Sequence, residues 1–517
     1  MVIDTSSSPE SDYRVIEIDT ERVFNREQQH YAVIDIGSNS IRLVVYDDLS
    51  RSPFPRFNEK SLVALGTGLD SAGNLTKEAI ESVRHVLERF AVIAKAMDVS
   101  RVDVLATEAT RKAANRAEFV QFIREKTGFA IRVLAGEEEA YYTALGVISG
   151  FYQPKGIVGD IGGGSLEIAE ILGDRVGERR TSVPLGALPV KKMLNDGMNS
   201  ARKTVDRILE ASQPTSLAEP VFYAVGGGWR ALARVYIAMN DIPVKVVHGF
   251  DVPAKEFLLL AKSIAKMNPE EVAALPDVPT RRIGTLAASA LVMWRILRKL
   301  KPDRLVFSAF GLREGWLYSQ LETQEQYRDP LLEGALALGL PTARVPGFSE
   351  ALGRWTESLF PEESQDDRRL RLATCALTDI AWRDHQKIRG RQSFERILHF
   401  PFIGITHRER AFVATAIMTR YSGKADDEVK SMIEGLLTST ELQQAEILGR
   451  ALLLGHRFSA SVAGILEHSR LRMDSDAVRL ETLDSYCVPD SDAVQSRLRQ
   501  LAKAAGLGGA EIVTSTD

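Results

Sequence analysis

Cysteine is nearly missing from this sequence of 517 residues: only Cys375 and Cys487 are present. Two are too few for a disulfide framework and lack metal-ligand spacing, so a stapled secreted scaffold is excluded and a reducing cytoplasm is the expected setting. Long apolar runs are missing too. No apolar stretch of about 18 residues occurs, and the start, Met1 to His30, is polar and acidic with a Ser-Ser-Ser-Pro run where a signal peptide would carry an apolar core, so no membrane contact is expected. The third absence is positive charge. With a formal net charge of −4 the surface as a whole is no platform for nucleic acid, and any polyanion must be held in a local groove. Charged residues at 26% and hydrophobic residues at 44% are ordinary for soluble domains, and the length accommodates about three or four of them.

Two glycine turns stand out. Val158-Gly159-Asp160-Ile161-Gly162-Gly163-Gly164-Ser165-Leu166-Glu167 runs an apolar strand into three glycines, a hydroxyl and flanking carboxylates. Gly162, Gly163 and Gly164 let backbone N–H groups approach an anion, Ser165 adds a hydroxyl, and Asp160 and Glu167 carry the oxygens a hard divalent cation prefers. About one domain length upstream, Tyr31-Ala32-Val33-Ile34-Asp35-Ile36-Gly37-Ser38-Asn39-Ser40 repeats the plan, with Asp35, Gly37, Ser38, Asn39 and Ser40 in corresponding roles. Neither turn ends in the Lys-Ser/Thr of a P-loop, and each is followed by an alternating apolar strand rather than a helix. The pattern predicts a duplicated α/β architecture whose two hairpin turns face one another.

The rest of the chain supports the duplication. A stripe of Ile80, Val83, Leu87, Phe90, Ala94 and Met97 predicts a helix with one buried face, and Val221 to Val225 is a strand running into Gly226, Gly227 and Gly228, a third anion-friendly junction at a helix start. Beyond Asp329 helical periodicity takes over, as in Leu370, Ala373, Leu377 and Ile380. The expected organisation is a flexible tail over 1–28, α/β domains over 29–145 and 146–329, a helical domain over 330–437, and a small α+β appendage over 438–517. The last helix of the second α/β domain, about 312–326, is placed to pack on the first.

Facing turns at strand ends would create a cleft suited to phosphoryl chemistry, which needs a charge clamp, a metal and a group that orients the nucleophile. Arg111, in Thr107-Glu108-Ala109-Thr110-Arg111, is a bidentate partner for phosphate oxygens. Glu137, Glu138 and Glu139 open a helix, where carboxylates are favoured by the dipole whether or not they react. The residue types alone do not choose among them.

Five ordered motifs, AVIDIGSNSIRLVVYD, ATEATR, LAGEEEA, VGDIGGGSLEIAE and SAFGLREG, span Tyr31 to Tyr318. Together they resemble the exopolyphosphatase/guanosine pentaphosphate phosphatase family of the actin-like, sugar kinase and heat-shock ATPase superfamily. The resemblance implies two ribonuclease-H-like domains closing on a phosphate chain, and the helical domain that follows, ahead of the α+β appendage, resembles the His-Asp phosphohydrolase fold. It singles out Glu139 as the residue that activates water, assigns Asp160 and Glu167 to Mg²⁺ or another divalent ion, and Arg111 to phosphate; a monovalent ion and a homodimer are family expectations. The implied activity is release of orthophosphate from the end of inorganic polyphosphate. Alternatives are a pppGpp 5′-phosphohydrolase and an actin-like ATPase or kinase.

Two departures from the family pattern are visible. Trp229 and Arg230 replace small residues after the third glycine loop, where an indole would either exclude a base or stack on one. Thr378-Asp379 stands where a His-Asp pair belongs, with His385, His399 and His407 scattered around it, so the helical domain is expected to bind or dimerise without metal chemistry of its own. A basic groove from the cleft toward that domain is expected, with Arg368, Arg369 and Arg371 as candidates beside the plainer reading of a solvated helix face.

Overall fold

Strands that alternate about a tight turn pair antiparallel with their neighbours, whereas strands reached through a helix return parallel. The chain does this twice. The computed structural model describes residues 15–26, 29–63, 65–212, 220–482 and 491–514. In the first repeat, strands β1 (Tyr31–Ile36), β2 (Ser40–Tyr46), β3 (Pro55–Leu62), β4 (Arg101–Ala106) and β5 (Ile131–Val133) form a sheet in the order β3-β2-β1-β4-β5. In the second, β6 (Lys155–Ile161), β7 (Leu166–Leu172), β8 (Arg175–Val183), β9 (Val221–Val225) and β11 (Arg304–Phe307) reproduce that order, and β10 (Phe250–Pro253) is added antiparallel at the edge. In both repeats the first three strands are an antiparallel meander and the fourth lies parallel to the first. This is the duplicated α/β plan expected from the paired turns.

The central strands β1 and β6 are buried on both faces except at the exposed Lys155 that starts β6 and at the half-buried Asp35 and Asp160 near their carboxyl ends. The helix Lys77–Ala96 starts at Thr76, whose hydroxyl accepts from the Ala79 N–H, and lays Ala79, Val83, Leu87 and Phe90 on the first sheet.

The two repeats exchange a helix. The helix Gly136–Gly150, which follows β5, packs its Ala140, Ala144, Val147 and Ile148 with Val158, Ala169 and Ile171 of the second sheet. In return the helix Leu312–Ser319, which follows β11, packs Leu312, Trp316 and Leu317 with Tyr31, Val33 and Val44 of the first. The boundary expected at 145/146 therefore falls inside a helix. The two helices cross where Gly315 meets Tyr142: a Cβ on Gly315 would lie 1.7 Å from the Tyr142 carbonyl oxygen, so only glycine permits this approach.

From Pro330 onward, helices Pro330–Gly339, Phe348–Glu357, Gln365–Ala376, Arg389–His399, His407–Ser422 and Ser439–Ser459 surround one apolar core. Strands β12 (Ser469–Met473), β13 (Ala477–Thr482) and β14 (Gly509–Thr514) and the helix Asp492–Ala504 share that core through Leu471, Leu480, Leu498 and Leu501. The expected division at 437/438 thus does not separate two cores, because Ala445, Leu448 and Leu452 of the helix that begins at Ser439 fill the same interior.

The expected flexible tail needs correction. Residues 1–14 and 27–28 lie outside the described residues, but 15–26 are tied down. Thr20 donates to Glu350 from its hydroxyl at 2.5 Å and its N–H at 2.8 Å, Arg22 pairs with Glu325 and Glu333, and Arg26 pairs with Glu325 and, at 3.4 Å, with Asp48. Polar composition made this segment read as loose; its charges are spent on partners far away in the chain. Cys375 is buried in the helical core, and Cys487 lies outside the described residues. Among the described residues no helix is long and apolar enough to cross a membrane.

Candidate active site

Asp35 and Asp160 begin two matching rows across their sheets. In the first, Asp35 of β1 stands opposite Arg42 of β2, and Arg42 opposite Lys60 of β3. In the second, Asp160 of β6 stands opposite Glu167 of β7, and Glu167 opposite Ser182 of β8. Directly opposed residues share a face of the sheet, so one jaw carries a carboxylate followed by two cations and the other two carboxylates followed by a hydroxyl. The duplicated scaffold has thus diverged in charge.

The turns meet as the duplication predicts. A Cβ on Gly163 would lie 3.3 Å from the Cβ of Ser38, so the jaws are nearly in van der Waals contact. Between them is a cavity of about 190 Å³ lined by Asp35, Gly37, Ser38, Asn39, Ser40, Glu139, Asp160, Gly162, Gly163, Gly164, Ser165, Gly226 and Gly227. The backbone N–H groups of Ser38, Asn39, Gly163, Gly164 and Ser165 have no acceptor among the described residues. Unpaired amides concentrated at two turns are the donors an oxyanion requires.

Three expected residues are not on that wall. Gly228 faces the helix Ile283–Leu300, where a Cβ would lie 2.3 Å from Ser289 Oγ, so it serves packing. Glu167 is buried behind Asp160 and accepts from Ser182 Oγ at 2.8 Å. Arg111 donates to the Leu134 carbonyl at 2.7 Å and to Glu139 Oε2 at 3.1 Å. Its guanidinium therefore holds the candidate base.

The carboxylates crowd one another. Burial first, then repulsion from Glu167, pushes Glu139 well above the usual carboxylate range, and Arg111 opposes this. Burial and then Asp160 push Glu167 up to about 8. Asp160 rises to about 6, mainly through burial, with Arg230 and the Thr143 hydroxyl, 3.3 Å away, opposing. Like charges held together out of water call for a compensating cation.

Sequence reasoning missed the positive wall. Arg42, Lys60, Arg230, Arg282 and Arg313 line the cavity. Arg313 pairs with Asp35 at 3.3 Å, and Arg230 donates to the Ala309 carbonyl at 2.7 Å. Burial, with Arg313 and Arg230 nearby, lowers Arg42 to about 10, and burial with Arg282, Arg281 and Arg42 lowers Lys60 to about 8. Cations that suppress one another's charge favour a bound anion. Arg42 and Arg313 lay within the recognised motifs, and alternation from Asp35 to Arg42 was the available signal; Arg230 stood out only as a departure from the family's third glycine loop, and Arg282 and Lys60 carry no signal short of the fold.

A second cavity of about 630 Å³ shares Arg42, Lys60, Arg230, Arg282 and Arg313 with the first and continues past Arg234, Lys245 and Arg281 to Pro401 and Ile403. It is a basic groove toward the helical portion, built from different residues than expected. Arg369 is buried, donating to Asp329 at 2.7 Å and to the Gly404 carbonyl at 2.5 Å, and Arg371 is buried against Glu363 at 2.6 Å, leaving only Arg368 exposed. These arginines are neither a groove nor a solvated face, because their helix turns two of them into internal ion pairs.

Trp229 also differs from expectation. It is wholly buried in the second repeat, with its indole N–H donating to the Ser289 carbonyl at 3.0 Å and its ring packed edge-on to Phe222, so it neither excludes nor stacks on a ligand. Arg230, one residue on, turns to the cleft. At the Thr378-Asp379 pair, Asp379 accepts from Arg344 at 2.7 Å and pairs with Arg420 at 3.5 Å, while the Thr378 hydroxyl meets His456 at 2.8 Å. His456 was missed because it lies far along the chain. Among the described residues no three His, Cys, Asp or Glu side chains form a ready-made metal cage.

Comparison with known proteins agrees with this architecture. Residues 44–324 match the Ppx/GppA phosphatase family. The chain belongs to that family. Residues 331–512 match the exopolyphosphatase C-terminal domain. The chain is 28% identical over 311 residues to exopolyphosphatase 1 of Mycobacterium leprae (strain TN), covering 56% of this chain and 89% of that one. It is 24% identical over 437 residues to retrograde regulation protein 2 of Saccharomyces cerevisiae, covering 76% and 72%. The crystal structure of the Ppx/GppA family member of Aquifex aeolicus aligns with a TM-score of 0.50 and 26% identity over 57% of this chain and 98% of that one. A phosphatase-type enzyme is what this family membership supports.

Proposed function

We propose that the protein is an exopolyphosphatase that releases terminal orthophosphate from inorganic polyphosphate. The observation that carries this reading is the continuity of the small anion cavity with the larger basic groove through Arg42, Lys60, Arg230, Arg282 and Arg313. A single phosphate needs only the first; a phosphate chain extends into the second.

The terminal phosphate sits between the two turns, its oxygens accepting from the unpaired amides and from Ser38 and Ser165. Glu139, held by Arg111, removes a proton from water as the water oxygen bonds to phosphorus. The bridging P–O bond breaks, one orthophosphate leaves, and the chain, one unit shorter, keeps its charge compensated by the arginines. Positioning and charge stabilisation supply most of the catalysis in such a transfer.

Mg²⁺ fits the donor set. Asp160 and Glu167 are both raised, chiefly by burial; Arg230 and Arg313 oppose this at Asp160 and Arg111 at Glu167 without bringing either back to the usual carboxylate range, and a magnesium ion is commonly held by one or two carboxylates together with phosphate and water. Asp160 would hold it at the cavity wall with Glu167 behind, and it would supply compensation for charge on the phosphate.

A pppGpp 5′-phosphohydrolase is a second reading, favoured by the apolar side of the larger groove, where Phe54, Phe310, Pro401 and Ile403 offer a base a surface. Parallel phosphate-release assays on polyphosphate and pppGpp test the choice. Higher kcat/KM on polyphosphate is expected; equal or better efficiency on pppGpp reverses the ranking.

A further inference from the structure

Glu108 is an anion inside an anion site. It opens the short helix Glu108–Lys112, is 7% exposed and lines the smaller cavity. Oε2 accepts from Ser38 Oγ of the first turn at 3.2 Å, and the same oxygen lies against Gly164 of the second, where a Cβ would come within 1.3 Å of it. The carboxylate thus spans both jaws. Its other oxygen accepts from Lys112 Nζ at 2.5 Å, a lysine 57% exposed and so on the solvent side.

Carboxylate and phosphate oxygens demand the same donors. The Ser38 hydroxyl cannot donate to both, Oε2 fills the space beside Gly164 that a phosphate oxygen would need, and two anions in one shell repel at close range. A phosphate entering between the turns must displace Glu108. Lys112 gives the displaced carboxylate somewhere to go, since its ammonium can follow the side chain outward while keeping the ion pair.

We propose that Glu108 is a built-in competitor for phosphate, occupying the pocket when it is empty and withdrawing toward Lys112 when substrate binds, so that it sets substrate affinity and hastens product release. This rests on reading the cleft as a phosphate site. Apparent affinity falls by the fraction of molecules whose site is open. If Glu108 fills the pocket about nine-tenths of the time, its removal strengthens binding roughly tenfold.

The test is calorimetric titration of the full-length protein with inorganic orthophosphate in Mg²⁺ buffer, paired with KM for polyphosphate. Glu108→Gln keeps the shape and removes the charge, and both constants are expected to fall roughly tenfold. Glu108→Asp, which withdraws the carboxylate by one methylene, should give a smaller fall, while Lys112→Ala removes the outer resting place and should raise KM. Unchanged or weaker orthophosphate binding in both Glu108 variants overturns the proposal and makes Glu108 a structural or metal-side group. If the unaltered protein binds neither orthophosphate nor polyphosphate, the phosphate reading of the cleft fails first, whatever Glu108 does.

Discussion

Arg111 changes the way Glu139 must be understood. A base that is too deeply buried keeps its proton, and the guanidinium at 3.1 Å draws Glu139 back toward the ionised state through both its charge and its hydrogen bond. Glu139→Gln should lower turnover at least about a hundredfold while polyphosphate binding survives, measured by phosphate release beside equilibrium binding. Arg111→Met should move the acid limb of the kcat/KM profile to higher pH, since the opposing cation is gone; a purely phosphate-binding role would raise KM and leave the limb in place. The raised carboxylates also leave a mark on stability. Glu167 titrates at about 8 in the fold against an ordinary 4.5, so in that window the folded chain retains a proton the unfolded chain has released, and stability declines as pH rises. Buried histidines such as His248, lowered from 6.5 to about 4, push stability the other way, but that effect fades above about pH 7 as the unfolded imidazole loses its proton too. In the presence of a chelator Tm should therefore fall between about pH 7 and 8, and Mg²⁺ should reduce that fall. A flat melting profile in chelator would contradict the charge crowding.

Among elements, the third glycine junction shows where a sequence motif stops being informative. Gly226 and Gly227 reach the cleft, Gly228 and Trp229 face the interior, and Arg230 returns to the cleft, all within the first turn of one helix. Trp229→Phe should cost about 1–3 kcal/mol through lost volume and the unpaired Ser289 carbonyl, read by urea unfolding, while the ratio of polyphosphate to pppGpp efficiency stays within about twofold. A large change in that ratio would mean that the indole does reach the substrate. The hairpins were legible because alternation and glycine turns are local signals, and Asp35 and Asp160 came with them. Glu139 needed the family pattern. Of the helix exchange, the sequence reading held only the packing of a helix at about 312–326 on the first domain; the reciprocal packing of Gly136–Gly150 on the second sheet was not legible, since which sheet a helix covers is decided by tertiary packing such as the Gly315 crossing. Arg369 and Arg371 misled for a related reason: a charged run reads as solvated until its partners, Asp329 and Glu363, are seen beside it.

For the molecule as a whole, the groove joins the α/β repeats to the helical portion, with Arg234 and Lys245 on one side and Pro401 and Ile403 at its far end. Charges distant from the cleft can matter only to substrates long enough to reach them. Arg234→Ala combined with Lys245→Ala should raise KM for long polyphosphate several-fold more than for tripolyphosphate, and the difference should shrink as salt is added. Equal effects on both lengths would remove the groove from the binding path.

The segment 15–26 carries a consequence for synthesis. It is made early, yet Arg22 and Thr20 find their partners Glu325, Glu333 and Glu350 at separations of 303, 311 and 330 residues. At roughly 5–20 residues per second a ribosome takes from about a quarter of a minute to a minute to supply them. Through that interval both α/β repeats can complete their sheets while this segment waits, and its docking records that the helical portion has arrived.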